Sequence, residues 1–148
     1  MQKRAKIGIS SLAGLVVILI TFLLINHFVI SNAGFEKELI QMAKDINQNC
    51  PFVLDEDTRL DNVTGGPGHV MTYNYTILNY SKSEINTDDL ESYLKPQLVQ
   101  TIESDEDMKV FRDHEVTLIY QYMDKNGAFV LSVKVTPDDY NQKESVTF

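Results

Sequence analysis

Asp55, Asp57 and Asp61 set three carboxylates at the first, third and seventh positions of one short stretch, places that carry ligands in calcium-binding loops. An EF-hand loop needs glycine at its sixth position and glutamate at its twelfth. Counted from Asp55, those places hold Leu60 and Gly66, and the fifth holds Arg59. The calcium motif fails, and the acids read as a solvated turn. Arg59 lies between Asp57 and Asp61, where its planar fork can grip a carboxylate and tie a strand to a helix. Arg59 and Asp61 are also candidate contacts for a partner. His69 and His114 stand far apart in the chain, and the His114-Glu115 pair lacks the second histidine of a zinc helix. No G-x-S-x-G elbow is present, and Gly65-Gly66-Pro67-Gly68 lacks the lysine of a phosphate loop. The sequence therefore offers no catalytic, cofactor-binding or metal residues, and non-enzymatic action is the expectation.

Seven tyrosines all follow the first third of the chain, and Tyr73, Tyr75, Tyr120 and Tyr122 occupy alternate positions of two apolar-polar alternating runs. Cross-strand aromatic packing is the ordinary use of such a pattern. The alternative is an exposed stripe that recognises a protein, which makes Tyr73 and Tyr75 candidate interaction residues beside Arg59 and Asp61. Cys50 is alone, so the chain has no internal disulfide and no CxxC site. Following an apolar-striped helix, it is expected to be buried as a small hydrophobe.

Positioning these residues requires helices and strands of both periods. Phe35, Leu39, Met42, Ala43 and Ile46 recur at helical spacing, and Cys50-Pro51 should end that helix. A short charged strand over Asp55–Val63 precedes the glycine-proline turn. From His69 to Tyr80 the chain alternates, with Met71, Tyr73, Tyr75 and Ile77 on one side and Thr72, Asn74 and Thr76 on the other. A second helix begins after Asn86 or Thr87 and carries Leu90, Leu94, Leu98 and Ile102. Pro96 should kink or divide it, and Glu103–Asp107 reads as a loop. Val116–Met123 and Ala128–Thr136 form a hairpin around Asp124-Lys125-Asn126-Gly127. Phe129, Leu131, Val133 and Val135 should face the core. The order is α-β-β-α-β-β, a two-layer α+β domain with a mainly antiparallel sheet of about four strands. Residues 137–148 are expected to be a flexible tail.

The beginning of the chain differs in kind. Lys3, Arg4 and Lys6 precede a stretch from Ile7 to Ile30 without a charged residue. About 20 apolar residues suffice to cross a bilayer as a helix. The expected organisation is a cytoplasmic basic flank at 1–6, a transmembrane helix at 7–30 and an exported domain at 31–136. The positive-inside rule puts the N-terminus in the cytoplasm and the domain in the periplasm or outside the cell. Cleavage after Ala33 is the competing reading, but the apolar run exceeds an ordinary signal-peptide core. Setting Lys3, Arg4 and Lys6 aside from the formal charge of −8 leaves −11 for the remainder. That charge repels phosphate backbones, which excludes nucleic acid as a partner.

The residues Thr58-Arg59-Leu60-Asp61, Gly66-Pro67-Gly68 and Tyr73-Asn74-Tyr75-Thr76 resemble the core of a group of small bacterial exported or membrane-anchored proteins. The resemblance extends to Leu94-Lys95-Pro96 and the Tyr120–Gly127 hairpin. It implies an envelope location and little more, since no activity is established for the group. It also implies a second cysteine downstream of Cys50, which this chain lacks. The expected function is that of a non-enzymatic single-pass envelope protein whose acidic domain binds another protein in an accessory or assembly role. An immunity or inhibitor protein that neutralises a toxin outside the inner membrane is the alternative, and an unrecognised hydrolase the third.

Overall fold

The computed structural model describes residues 34–141. The expected span at 7–30 and the cleavage position after Ala33 lie outside them. Among the described residues no helix is long and apolar enough to cross a membrane.

Helix α1 covers 34–47 and buries Phe35, Leu39 and Ala43, with Met42 and Ile46 packed beside them. Five strands follow the α1 stretch: β1 (Phe52–Val53), β2 (Thr58–Gly66), β3 (Val70–Ile77), β4 (Thr117–Met123) and β5 (Phe129–Val135). They lie in sequence order across one sheet. Three pairings are antiparallel, and β3 with β4 is parallel. A parallel neighbour cannot be reached by a hairpin. Helix α2 (Thr87–Ser104) makes the crossover and lies against the sheet beside β5. The sequence reading of about four strands missed β1, whose two residues are too few to show a period.

Alternation decides which face is covered. Leu60, Val63, Met71, Leu118, Val133 and Val135 point into the core, together with the four tyrosines. Thr64, Thr72, Asn74, Gln121, Ser132 and Lys134 line the other face, which is polar and half-exposed or exposed. The layers are therefore one sheet and the helices on one side of it. At Gly65, α1 meets β2 backbone to backbone: a Cβ there would sit 2.6 Å from the carbonyl carbon and oxygen of Leu39.

Four further expectations are corrected. Helix α2 runs unbroken through Pro96; the residue is exposed, so the carbonyl deprived of its N–H partner can turn to water. The stretch after it is a 3₁₀ turn (Glu106–Met108) and a short helix, α3 (Lys109–Asp113), rather than a loop alone. On β5, a bulge opposite Tyr122 and Met123 turns Phe129 outward, 48% exposed, and buries Val130 in its place. Finally, Pro137 starts a fourth short helix, α4 (Pro137–Tyr140). Its Tyr140 is buried and donates its hydroxyl to the Val116 carbonyl at 2.8 Å, so residues 137–140 belong to the domain and not to a tail.

Candidate functional site

The paired register of β3 and β4 sets Tyr73 beside Tyr120 and Tyr75 beside Tyr122. Their rings stack within 18° of parallel, with centroids 5.2–6.5 Å apart. Desolvation pushes the phenols of Tyr73 and Tyr122 up to about 12, and those of Tyr75 and Tyr120 higher still. Neighbouring tyrosines add to the last two. The tyrosines form a neutral aromatic floor beneath the helices.

Tyr75 and Tyr122 continue that floor into a groove of about 550 Å³. One wall is α2, which presents Leu90, Leu94 and Leu98 at successive helical turns. The β1–β2 turn contributes Leu54 and Thr58, and Ile77, Tyr80 and Ile85 complete the apolar lining. The volume falls in the range of ligand and peptide-side-chain sites, and the lining is largely aliphatic and aromatic. The rim is acidic. Asp55, Asp57 and Glu84 stand on it. Glu84 accepts hydrogen bonds from the Ser81 backbone and hydroxyl at 2.7 and 2.6 Å, and these, with Lys125 at 3.6 Å, hold its carboxyl below the ordinary range. Among the described residues Asp55 and Asp57 take neutral donors alone: the Asp57 N–H at 2.8 Å and the Asn79 amide at 2.7 Å.

A shallower depression of about 820 Å³ runs along the outer face of α2 between Asp88 and Glu103. One helix supplies all its lining, so it encloses nothing.

The four candidate interaction residues do not share a surface. Tyr73 and Tyr75 lie on the helix-covered face, and only Tyr75 reaches the groove. Arg59 and Asp61 lie on the open polar face. There a bulge between Leu60 and Asn62 turns the Asp61 carboxylate so that it accepts from Arg59 Nε at 2.6 Å and from the Thr76 hydroxyl at 2.5 Å. The Arg59 ion pair thus stays within its own strand and ties no helix, contrary to expectation. Cys50 is half-buried; desolvation, then the negative charge of Asp61, pushes its thiol up. No group of three or more potential metal ligands occurs among the described residues.

Two histidines far apart in sequence do meet. Phe35 stacks on His114 at 3.7 Å and meets the edge of His69 at 5.2 Å. The His69 ring donates from Nδ1 to the His114 carbonyl at 2.9 Å, so Nδ1 carries the hydrogen and Nε2 is buried without a partner among the described residues. They clamp the start of α1. The groove residues Leu54, Tyr80, Ile85 and Leu90 were absent from the sequence-derived site candidates; Leu90 read as part of a helical stripe and Tyr80 as the end of an alternating run, while Leu54 and Ile85 lie beside acids without strand or helix period.

The sequence profile of the family described as "Domain of unknown function (DUF8479)" matches residues 34–131. No protein of curated function matches the chain. Solved structures share its architecture. One is a candidate secreted protein of Pseudomonas aeruginosa, 16% identical, with a TM-score of 0.60 over 74% of this chain and 95% of that one. Another is the type II secretion system pilotin AspS of Vibrio cholerae, 13% identical, with a TM-score of 0.57 over 76% and 97% of the two chains. A third is the pilotin EpsS of the Vibrio vulnificus type 2 secretion system, 12% identical, with a TM-score of 0.53 over 76% and 96%. At these identities the likeness is one of fold.

Proposed function

The chain belongs to the family described as Domain of unknown function (DUF8479), and from that premise we propose a non-enzymatic accessory protein of the bacterial envelope that binds another protein. The observation that carries this reading is the groove between α2 and the tyrosine floor: an apolar, preformed concavity on an otherwise acidic domain. The kinship of fold with two pilotins of type II secretion systems supports an accessory role. In this reading the uncharged segment at 7–30 spans the membrane and holds the domain outside the cytoplasm, with the N-terminal cations inside.

The acidic rim favours a basic partner, the feature shared with the immunity-protein alternative. The partner's identity separates the two: a component of an envelope assembly supports the first, a toxin the second. The test is photo-crosslinking from native membranes, with the reactive side chain at Tyr80 on the groove and at Lys134 on the open face. One discrete adduct from position 80, absent from position 134 and lost on Leu94→Gln, is the expected result. Equal labelling from both positions, or adducts insensitive to Leu94→Gln, would sink the groove as the binding site.

A further inference from the structure

We propose that the free edge of β1 is a strand-addition site, which takes an extended segment of the partner with a cationic residue set against Asp55–Asp57. The inference rests on the protein-binding reading and specifies the form of the partner.

The backbone states which groups are free. The Leu54 N–H donates to the Thr58 carbonyl at 2.9 Å, and Phe52 and Val53 face Leu60 and Arg59 in the antiparallel register. Hydrogen-bonding direction alternates along a strand, so Val53 turns its N–H and C=O away from β2. Among the described residues no strand lies beyond β1 in the sheet. The side chains are equally uncovered: Phe52 is 40% exposed, Val53 60% and Leu54 50%. They make three consecutive exposed apolar residues on a sheet edge.

Other open stretches of edge are guarded. Past β1, the edge of β2 is closed by the Asn47 amide, which pairs with both backbone groups of Val63. On the far edge, β5 carries an exposed lysine, Lys134, a side chain that discourages pairing. Strand β1 has neither device; its protections are its two-residue length and the flanking Pro51, and the Val53 backbone between them stays open to strand addition.

Charge and position select the occupant. Asp55, Glu56 and Asp57 follow β1 after Leu54, and none of them takes part in a salt bridge among the described residues. Leu54, Asp55 and Asp57 also line the groove, so a strand laid along β1 passes its wall. A second copy of this chain fits poorly. Antiparallel self-pairing about Val53 would set Asp55, Glu56 and Asp57 opposite Pro51, Cys50 and Asn49, none of them cationic. The occupant is therefore a segment of another protein, extended, apolar at alternate positions and basic at one end.

The experiment titrates full-length protein in detergent micelles with fluorescent peptides of alternating valine and threonine bearing two lysines at either end. Binding is read by anisotropy, and backbone protection by amide hydrogen exchange at Val53. We expect saturable binding and slowed exchange at Val53. Affinity should fall at least tenfold when alternate peptide amides are N-methylated, when glutamates replace the lysines, or on Val53→Pro. Glu56→Lys should weaken it several-fold. The N-methylated peptide, which leaves the protein untouched, serves if the proline variant melts early. An N-methylated peptide that binds as well as the parent, or no saturable binding at millimolar peptide, overturns the proposal. So does a concentration-dependent dimer abolished by Val53→Pro, which would assign the edge to a second copy. Peptide binding lost on Leu94→Gln alone removes strand addition and leaves the groove reading intact; binding insensitive to every variant removes both.

Discussion

The side-chain amide of Asn47, at the end of α1, exchanges two hydrogen bonds of 2.7 Å with the backbone of Val63 on β2, donating to its carbonyl and accepting from its N–H. A side chain here does what a neighbouring strand would do, and it fixes the end of the helix to the sheet edge. Asn47→Leu leaves both backbone groups of a buried residue unpaired. Each unpaired buried group costs about 1–3 kcal/mol, so the variant should lose roughly 2–4 kcal/mol and melt on the order of 10 °C lower. A thermal melt checks it; a shift within about 2 °C would mean that water replaces the amide.

Gly65 sits where α1 touches β2. Gly65→Ala would drive a methyl group to 2.6 Å from the Leu39 carbonyl and 2.8 Å from the Ile40 nitrogen, and backbone atoms cannot swing aside as a side-chain tip can. Overpacking of this kind costs about 1–3 kcal/mol. Urea unfolding should report that loss, and hydrogen exchange should quicken in α1 before it does in β4. Uniform exchange across the domain would argue against a displaced helix.

Asp124 is buried at the hairpin turn and accepts from the backbone N–H groups of Lys82, Asn126 and Ala128, each at 2.8 Å. The bond from Lys82 leads the causes that hold its carboxyl below the ordinary aspartate range. A folded-state value lower than the unfolded one stabilises above the unfolded pKa and is lost as pH falls through the folded one. Asp124→Asn should therefore be less stable than wild type at neutral pH. The gap should close as acid protonates the wild-type carboxylate below about pH 4. Urea midpoints from pH 7 to pH 2.5 test this, and a gap constant with pH would contradict it.

At the alkaline end the sign reverses. The phenols of Tyr73 and Tyr122 are raised to about 12, so folding is favoured most below the unfolded value near 10. That stability drains as pH climbs from there through the folded values. Tyrosinate absorbance should show five of the seven tyrosines, the four of the floor and the buried Tyr140, silent at pH 11 and appearing together with loss of the far-ultraviolet signal. Seven smooth, independent titrations in the folded protein would remove the stacked floor.

These predictions also mark what could be read from the residues alone. The stripes on α1 and α2 and the alternation of β3, β4 and β5 were plain, because each repeats a period over two or more turns or pleats. The face assignment of Tyr73, Tyr75, Tyr120 and Tyr122 followed from that alternation. What escaped was non-periodic or distant. Strand β1 is two residues long, and the α3 helix is five. The bulge at Val130 reverses Phe129 without a marker in its own residues. At the turn, only Gly127 takes positive φ, with Asp124 supplying the remaining order through its side chain. The Asn47–Val63 clasp joins positions 16 apart, and no local pattern announces it. The groove shares this difficulty, since its walls come from four separate stretches and only the fold brings them together.

The parallel seam between β3 and β4 has a consequence for how the chain reaches this state. Hairpins β2–β3 and β4–β5 each close over short loops and can form early, whereas the seam joins Val70 to Thr117 and must wait for α2 to swing across. Sequence-distant contacts slow folding, so the seam is the step expected to come last. Until it forms, Tyr73 and Tyr75 lack Tyr120 and Tyr122. The ring stack thus doubles as an optical clock: its near-ultraviolet signal should arrive last in a refolding trace, after the helices and both hairpins.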